Sequence, residues 1–272
     1  MSCSTTAFAS APFPTPPEAW AFYDALIAGI PEDVRVLDAG VGGHWCFVEA
    51  ECGMGVAFST KGGAKRTCND DLRTWSLREV AELSKSWNFP EASLGTAALN
   101  AWYAQEDRLA QAGARFDEAV ELPDGTVHQM DAFQRYRDDY AGKHVVVIGH
   151  FPHLERAAEV TASLTVLERN CSSRSDIPDP ACEFMLPYAD FVFMTGSAII
   201  NKTAPRLLEL ARNARTVMVG PSSVPAPTVL EAGVDALAGS CVVDPDRAKC
   251  AVMQDTVSLF DAAAKMFTLE RS

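Results

Sequence analysis

The sequence is short of positive charge, of long apolar runs and of the compact motifs that announce a reaction. Its 23 Lys and Arg stand against 36 Asp and Glu, a formal net charge of −13. That balance argues against nonspecific nucleic-acid binding, which calls for a basic face. It is compatible with cations or neutral molecules as ligands. No apolar run approaches the roughly 20 residues of a membrane-spanning helix. Eight cysteines are present, but none forms a C-x-x-C pair, so zinc-ribbon and thioredoxin-like readings fail. Most are expected to be reduced, buried and inert. No P-loop, H-E-x-x-H or Ser–His–Asp order occurs. Gly220-Pro221-Ser222-Ser223 lacks the two flanking glycines of a nucleophile elbow. The first sixteen residues lack a basic start and are interrupted by Pro12, Pro14 and Pro16. They read as a flexible lead-in rather than a signal peptide, and the expected location is the cytoplasm.

What the sequence does have is a run that organises it: His144 to Pro152, HVVVIGHFP. Four consecutive apolar residues, three of them valine, read as a strand buried on both faces. The run stops at Gly149 and Pro152, a turn at the end of a strand. From there strands alternate with helices. Strands are expected at 144–149, 163–167, 191–196, 216–220 and 237–243, and helices at 181–188, 198–213, 228–233 and 246–269. Such alternation implies a right-handed, doubly wound parallel sheet, Rossmann-like.

The chain before it has a different order. A helix is expected over 17–29, strands at 34–41, 45–50 and 54–59, and a Gly-rich loop at 61–71. A helix opens at Ser76, whose capping box closes on Glu79. Another covers 91–103, and an amphipathic one 131–140. Strands followed by helices make an α+β unit. The expected division is a lead-in over 1–16, a smaller α+β domain over 17–141 and the Rossmann-like domain over 142–272.

In an open parallel sheet, ligands sit beyond the carboxyl ends of the strands. Those ends hold Gly149, His150, Phe151 and Pro152, then Glu168 and Cys171, then Thr195, Gly196 and Ser197 with Asn201 and Thr203 a turn later, then Gly220, Pro221 and Ser222. Ser197 suits a helix N-cap. His150, Glu168 and Cys171 offer imidazole, carboxylate and thiol donors for a transition metal ion. Taken singly, each fits a turn histidine or a buried cysteine as well. His44 and Cys46 share a strand face and invite the same question. Glu168 follows Gly149 by nineteen positions, near the spacing of a ribose-binding carboxylate. The glycine fingerprint that accompanies such a carboxylate is absent, because Gly149 is followed by His, Phe and Pro.

The second half also carries ordered motifs: GHFP at 149–152, LERN at 167–170, DIPDPACEFMLPYADFVFMTGSAIINKT at 176–203, GPSSVPAP at 220–227 and AGVDALAGSCVVD at 232–244. Together they resemble the heavy-metal chelation domain family, over about residues 130–260. The front half, with GVGGHWCFV at 40–48, resembles the enolase-N-terminal-like domain that precedes it there. The resemblance implies a ligand site between the two domains, for a metal ion or a small anionic metabolite. It carries over Gly149, Phe151, Pro152, Glu168, Thr195, Gly196, Asn201, Thr203, Gly220, Pro221 and Ser222 as site residues. Gly-Ser-Ala at 196–198, Ser-Ser-Val at 222–224 and Lys202, at a position where glycine is common, depart from the family pattern.

The leading expectation is therefore a protein that binds a metal ion, or a metabolite able to chelate one, in an interdomain cleft, with self-association compatible. The alternative is an enzyme that uses NAD or S-adenosylmethionine, with Glu168 on the ribose. A scaffold with an empty cleft is the third reading.

Overall fold

The strand that begins at His144 lies in the middle of the largest sheet. The computed structural model describes residues 17–117, 120–121, 127–128, 130–152, 154–254, 258–260 and 263–271. The expected lead-in, 1–16, falls outside them. In chain order, helix α1 (Ala21–Ala28) leads to strands β1 (Val36–Val41), β2 (Trp45–Ala50) and β3 (Gly53–Phe58). Helices α2 (Leu77–Glu82), α3 (Phe89–Tyr103) and α4 (Glu106–Gln111) follow. Short strands β4 (Arg115–Phe116), β5 (Val120–Glu121) and β6 (Val127–His128) and helices α5 (Ala132–Arg135) and α6 (Arg137–Tyr140) make the passage to the second half.

There the order is β7 (His144–Ile148), α7 (Leu154–Ala158), β8 (Ser163–Glu168), β9 (Asp176–Pro178), α8 (Cys182–Met185) and β10 (Phe191–Thr195). Then come α9 (Ser197–Ile200), α10 (Ala204–Leu210), β11 (Arg215–Val219), α11 (Pro227–Glu231), β12 (Ala236–Val242), α12 (Pro245–Gln254) and β13 (Ala264–Glu270).

The large sheet runs β4-β13-β12-β11-β10-β7-β8-β9. From β12 to β9 all neighbours are parallel. Counted from β7, the parallel strands stand in the order 3-2-1-4-5-6 of a doubly wound dinucleotide-binding sheet. β1, β2 and β3 form a separate antiparallel sheet. The fold is thus a Rossmann-like sheet preceded by a smaller α+β unit, as expected.

Alternation along the strands decides the packing. Val146, Ile148, Val192 and Met194 face a core shared with Tyr23, Leu26, Val48 and Leu99 of the leading half. Val145, Val147, Phe191 and Phe193 face the other way, onto Tyr136, Tyr140 and Leu154. One core therefore runs through both halves. The Tyr23 hydroxyl fastens it by donating to the Ile199 carbonyl at 2.7 Å. On the leading side, β3 presses against α3 so closely that a Cβ at Gly55 would lie 2.1 Å from the Ala101 nitrogen. The capping box at Ser76 and Glu79 forms as read.

Three local expectations are corrected. The helix drawn to 269 does not reach that far: α12 is Pro245–Gln254, and 264–270 is β13, antiparallel to β12 from Ala236↔Glu270 to Val242↔Ala264. The peptide groups of a buried β12 need ladder partners, and β13 supplies them. The helix drawn over 198–213 breaks at Asn201–Lys202. The Asn201 side-chain oxygen accepts from Thr203 N at 3.1 Å and Thr203 Oγ1 at 2.6 Å, a local turn that competes with the helix. Pro205 then sits in the first turn of the new helix, the place that tolerates it. Finally β9, only three residues long and ending in Pro178, escaped the pattern. Its place at the sheet edge accommodates the proline.

Candidate functional site

The winding direction reverses between β7 and β10, the topological switch point beside which ligands bind in open parallel sheets. Gly149 follows β7 with φ +95°. A Cβ there would lie 3.0 Å from Thr195 Cγ2, so the two turns touch. Gly149 N also donates to the Leu167 carbonyl at 2.9 Å, tying the turn to the end of β8 beside Glu168. On the other flank, a Cβ at Gly196 would lie 2.3 Å from Ser223 N, so the turns after β10 and β11 meet backbone to backbone. The row closes on the leading half, where Phe58 N donates to Ser222 Oγ at 2.8 Å. The Asn100 amide donates to both Val56 O (2.9 Å) and Pro221 O (2.8 Å). Glu168, Gly149, Thr195, Gly196, Ser222 and Phe58 thus form one contiguous rim.

Within the row the residues differ in what they can offer. Gly149, Glu168, Thr195, Ser197 and Gly220 are half-buried, and His150 and Pro152 are exposed. Pro221 and Ser222 are buried and serve the junction of the two halves. Phe151 packs its ring on Phe133 at 5.5 Å, a structural contact. Ser197 is not the N-cap expected of it. It is the first residue of α9, and its N–H reaches Thr195 Oγ1 at 3.3 Å. Asn201 and Thr203 spend their side chains on each other.

The metal set drawn from the sequence does not come together. One Glu168 oxygen accepts from Arg169 N (2.7 Å) and Asn170 N (3.1 Å), closing its own turn. Cys171 is exposed, its thiol turned to the Glu168 carbonyl at 3.5 Å. His150 Nδ1 instead meets Asp176 Oδ1 at 3.2 Å. Among the described residues no group of three or more His, Cys, Asp or Glu side chains is arranged to hold a metal ion. Cys46 is wholly buried, and burial pushes its thiol up to about 12, which suits an inert core residue.

Sequence reading missed two groups, Asp176 and the basic loop after β3, and noted a third, Lys202, only as a departure from the family pattern. Asp176 was hidden because β9 was. Lys61, Lys65 and Arg66 are exposed on the loop leaving β3. Lys61 is three residues from Phe58, so the chain holds it within about 11 Å of the rim junction. Lys202 stands with φ +66° at the helix break. Its ammonium donates to the Ser86 carbonyl and to the Ile200 carbonyl, the latter at 2.8 Å. Burial pulls its amine down to about 8.

Comparison with known proteins gives a consistent picture. Residues 131–258 match the DUF364 profile and residues 23–103 the DUF4213 profile, each described as "Putative heavy-metal chelation". A protein of Methanocaldococcus jannaschii described as uncharacterized is 27% identical over 262 residues, 90% of this chain and 93% of its own. The crystal structure of a DUF364 family protein of unknown function from Desulfitobacterium hafniense superposes with a TM-score of 0.81 at 34% identity. It covers 93% of this chain and 99% of its own. A second, from Pyrococcus horikoshii, has a TM-score of 0.73 at 24% identity and covers 92% and 98%; at that identity the likeness speaks for the fold.

Proposed function

Since this chain belongs to the DUF364 family, we propose that it binds a small anionic metabolite able to chelate a metal ion, in the crevice at the carboxyl ends of β7 and β10. The observation that carries the reading is the contiguous rim, in which turns from distant parts of the chain touch at Gly149–Thr195 and Gly196–Ser223. Half-buried Thr195, Ser197 and Gly220 offer hydroxyls and close backbone approach. The basic loop at Lys61, Lys65 and Arg66 favours an anion on a molecule that is otherwise acidic. The protein's own His150, Glu168 and Cys171 are not gathered to hold a bare metal ion, so a metal would arrive already coordinated by the metabolite. Such a metal would supply charge opposite to that of the anion.

Calorimetry and native mass spectrometry with Ni²⁺ alone, citrate alone and Ni²⁺–citrate test this. One-to-one binding of the complex, tighter than of either component, is expected. Glu168→Ala weakens it with little change in folding, because the side chain stands at a strand's end. Equal affinity for free Ni²⁺ and its citrate complex, or unchanged affinity in the variant, counts against the proposal.

The strand order favours one second reading. Glu168 ends the strand that follows β7, the position of the ribose carboxylate in dinucleotide-binding sheets. NAD or S-adenosylmethionine would then occupy the crevice. Binding heat with either nucleotide, and none with the metal complex, selects this reading over the first.

A further inference from the structure

The segment between β9 and β10 carries apolar side chains that neither the core nor the rim uses. We propose that the face formed by Phe184, Met185 and Tyr188 is where a second copy of this chain docks, face to face across a two-fold axis. The inference stands apart from the crevice and from any ligand in it.

The segment is anchored on one side and bare on the other. Cys182 of α8 and Leu186, four residues apart, pack into the shared core. Phe184 and Tyr188, also four apart, stand on the opposite side of the same coil. They are 73% and 81% exposed, with Met185 beside them at 37%. Among the described residues no other large apolar side chain is as exposed as these two rings. Pro187 stiffens the turn over 186–188 that presents Tyr188. Aromatic rings held out on a fixed support are what protein contacts use at their centres.

The area suits a second copy. An aromatic side chain has roughly 150–250 Å² to bury, so the two rings at these exposures offer on the order of 300 Å². That is at the scale of the largest apolar patches on monomeric proteins, which are often functional. A two-fold axis doubles it to roughly 600 Å² of apolar centre, a fitting core for the about 1,200–2,000 Å² that a stable interface buries in total.

The bordering charges suit it too. At a net charge of −13 the chain repels its own copy, so copies meet most readily where carboxylates are offset. Arg206 on the adjacent α10 holds Glu183 through two bonds, at 3.0 and 2.6 Å, and Glu209 at 2.7 Å. Arg169 holds Asp179 at 3.0 Å. Both signs therefore border the apolar patch, as a self-complementary contact requires: each copy can set Arg206 against Glu183 of the other. Side chains rather than backbone make the contact, since the edge strand β9 has only three residues and ends in Pro178.

Sedimentation velocity and light scattering of the full chain across the micromolar range test this. A dimer of twice the chain mass is expected. Phe184→Ala combined with Tyr188→Ala should weaken self-association about hundredfold, with the urea midpoint unchanged because both rings are exposed. A second readout keeps the contact intact: p-benzoylphenylalanine in place of Tyr188 should, on irradiation, link two chains. Mass spectrometry of mixed light and ¹⁵N-labelled protein should place the attachment within 183–188 of the other copy. A wild type that stays monomeric, or a double variant as dimeric as the wild type, overturns the proposal. So does attachment of the photoprobe to residues 1–16 of its own chain, which would make that segment the cover, or to no protein residue at all.

Discussion

Glu91 shows how far a single side chain can reach. It is 3% exposed, yet its carboxylate accepts from Thr67 N (2.6 Å), Thr67 Oγ1 (2.9 Å), Cys68 N (2.7 Å) and Ser86 Oγ (2.5 Å). Burial raises its pKa, and the Ser86, Cys68 and Thr67 donors more than reverse that, so the net shift is downward. A carboxyl depressed in the folded state stabilises the protein above its unfolded value, near 4.3. That contribution is lost as pH falls through the lower folded value. Glu91→Ala leaves four donors unmatched and should cost on the order of 3 kcal/mol, seen as an earlier urea midpoint. The variant should also lose part of the wild type's fall in stability at acid pH. An unchanged midpoint would show that the loop from 60 to 68 holds its place without Glu91. None of this was legible in the sequence, where Glu91 reads as an ordinary first-turn residue of α3.

At the scale of the element, the break between α9 and α10 decides where the rim helix ends. Lys202 occupies the left-handed region there, among the described residues the only non-glycine to do so, at a cost that the Ser86 and Ile200 carbonyls offset. Its amine, lowered to about 8 by burial, sits below the unfolded value of about 10.4. Between those values the unfolded chain binds the proton and the folded one does not, so Lys202 makes stability rise with pH in that window. Lys202→Met should flatten the rise, measured as the difference from wild type in urea unfolding at pH 7.5, 9 and 10. Identical slopes would mean that the buried amine keeps its proton. The same residue explains a misreading. Apolar spacing at Ile199, Leu207 and Leu208 suggests one helix, but the Asn201–Thr203 turn and Pro205 interrupt it, and spacing does not register a local competitor.

At the scale of the whole molecule, the two sheets share one core, from Tyr23 and Leu99 to Met194 and Leu207. Phe58–Ser222 and Asn100–Pro221 lock the halves at the rim. A single cooperative transition is expected by calorimetry. The segment 142–272 made alone should expose the face of Val146, Val192 and Met194 and aggregate. Two separate transitions, or a well-folded isolated segment, would show that the halves are autonomous. For the site this unity means that the leading half both meets the rim at Pro221 and Ser222 and stabilises the sheet that carries it.

The valine run before Gly149, the alternation that follows it and the capping box at Ser76 were settled by sequence alone, because each depends on neighbours a few positions away. The rim residues were also visible, since turns at strand ends have a recognisable composition. Only the tertiary structure decided that Gly149 meets Thr195 and Gly196 meets Ser223, that β13 rather than a helix completes the sheet, and that Asp176 braces His150. Those outcomes rest on contacts between segments far apart in the chain, where register and close packing, rather than local preference, set which groups meet.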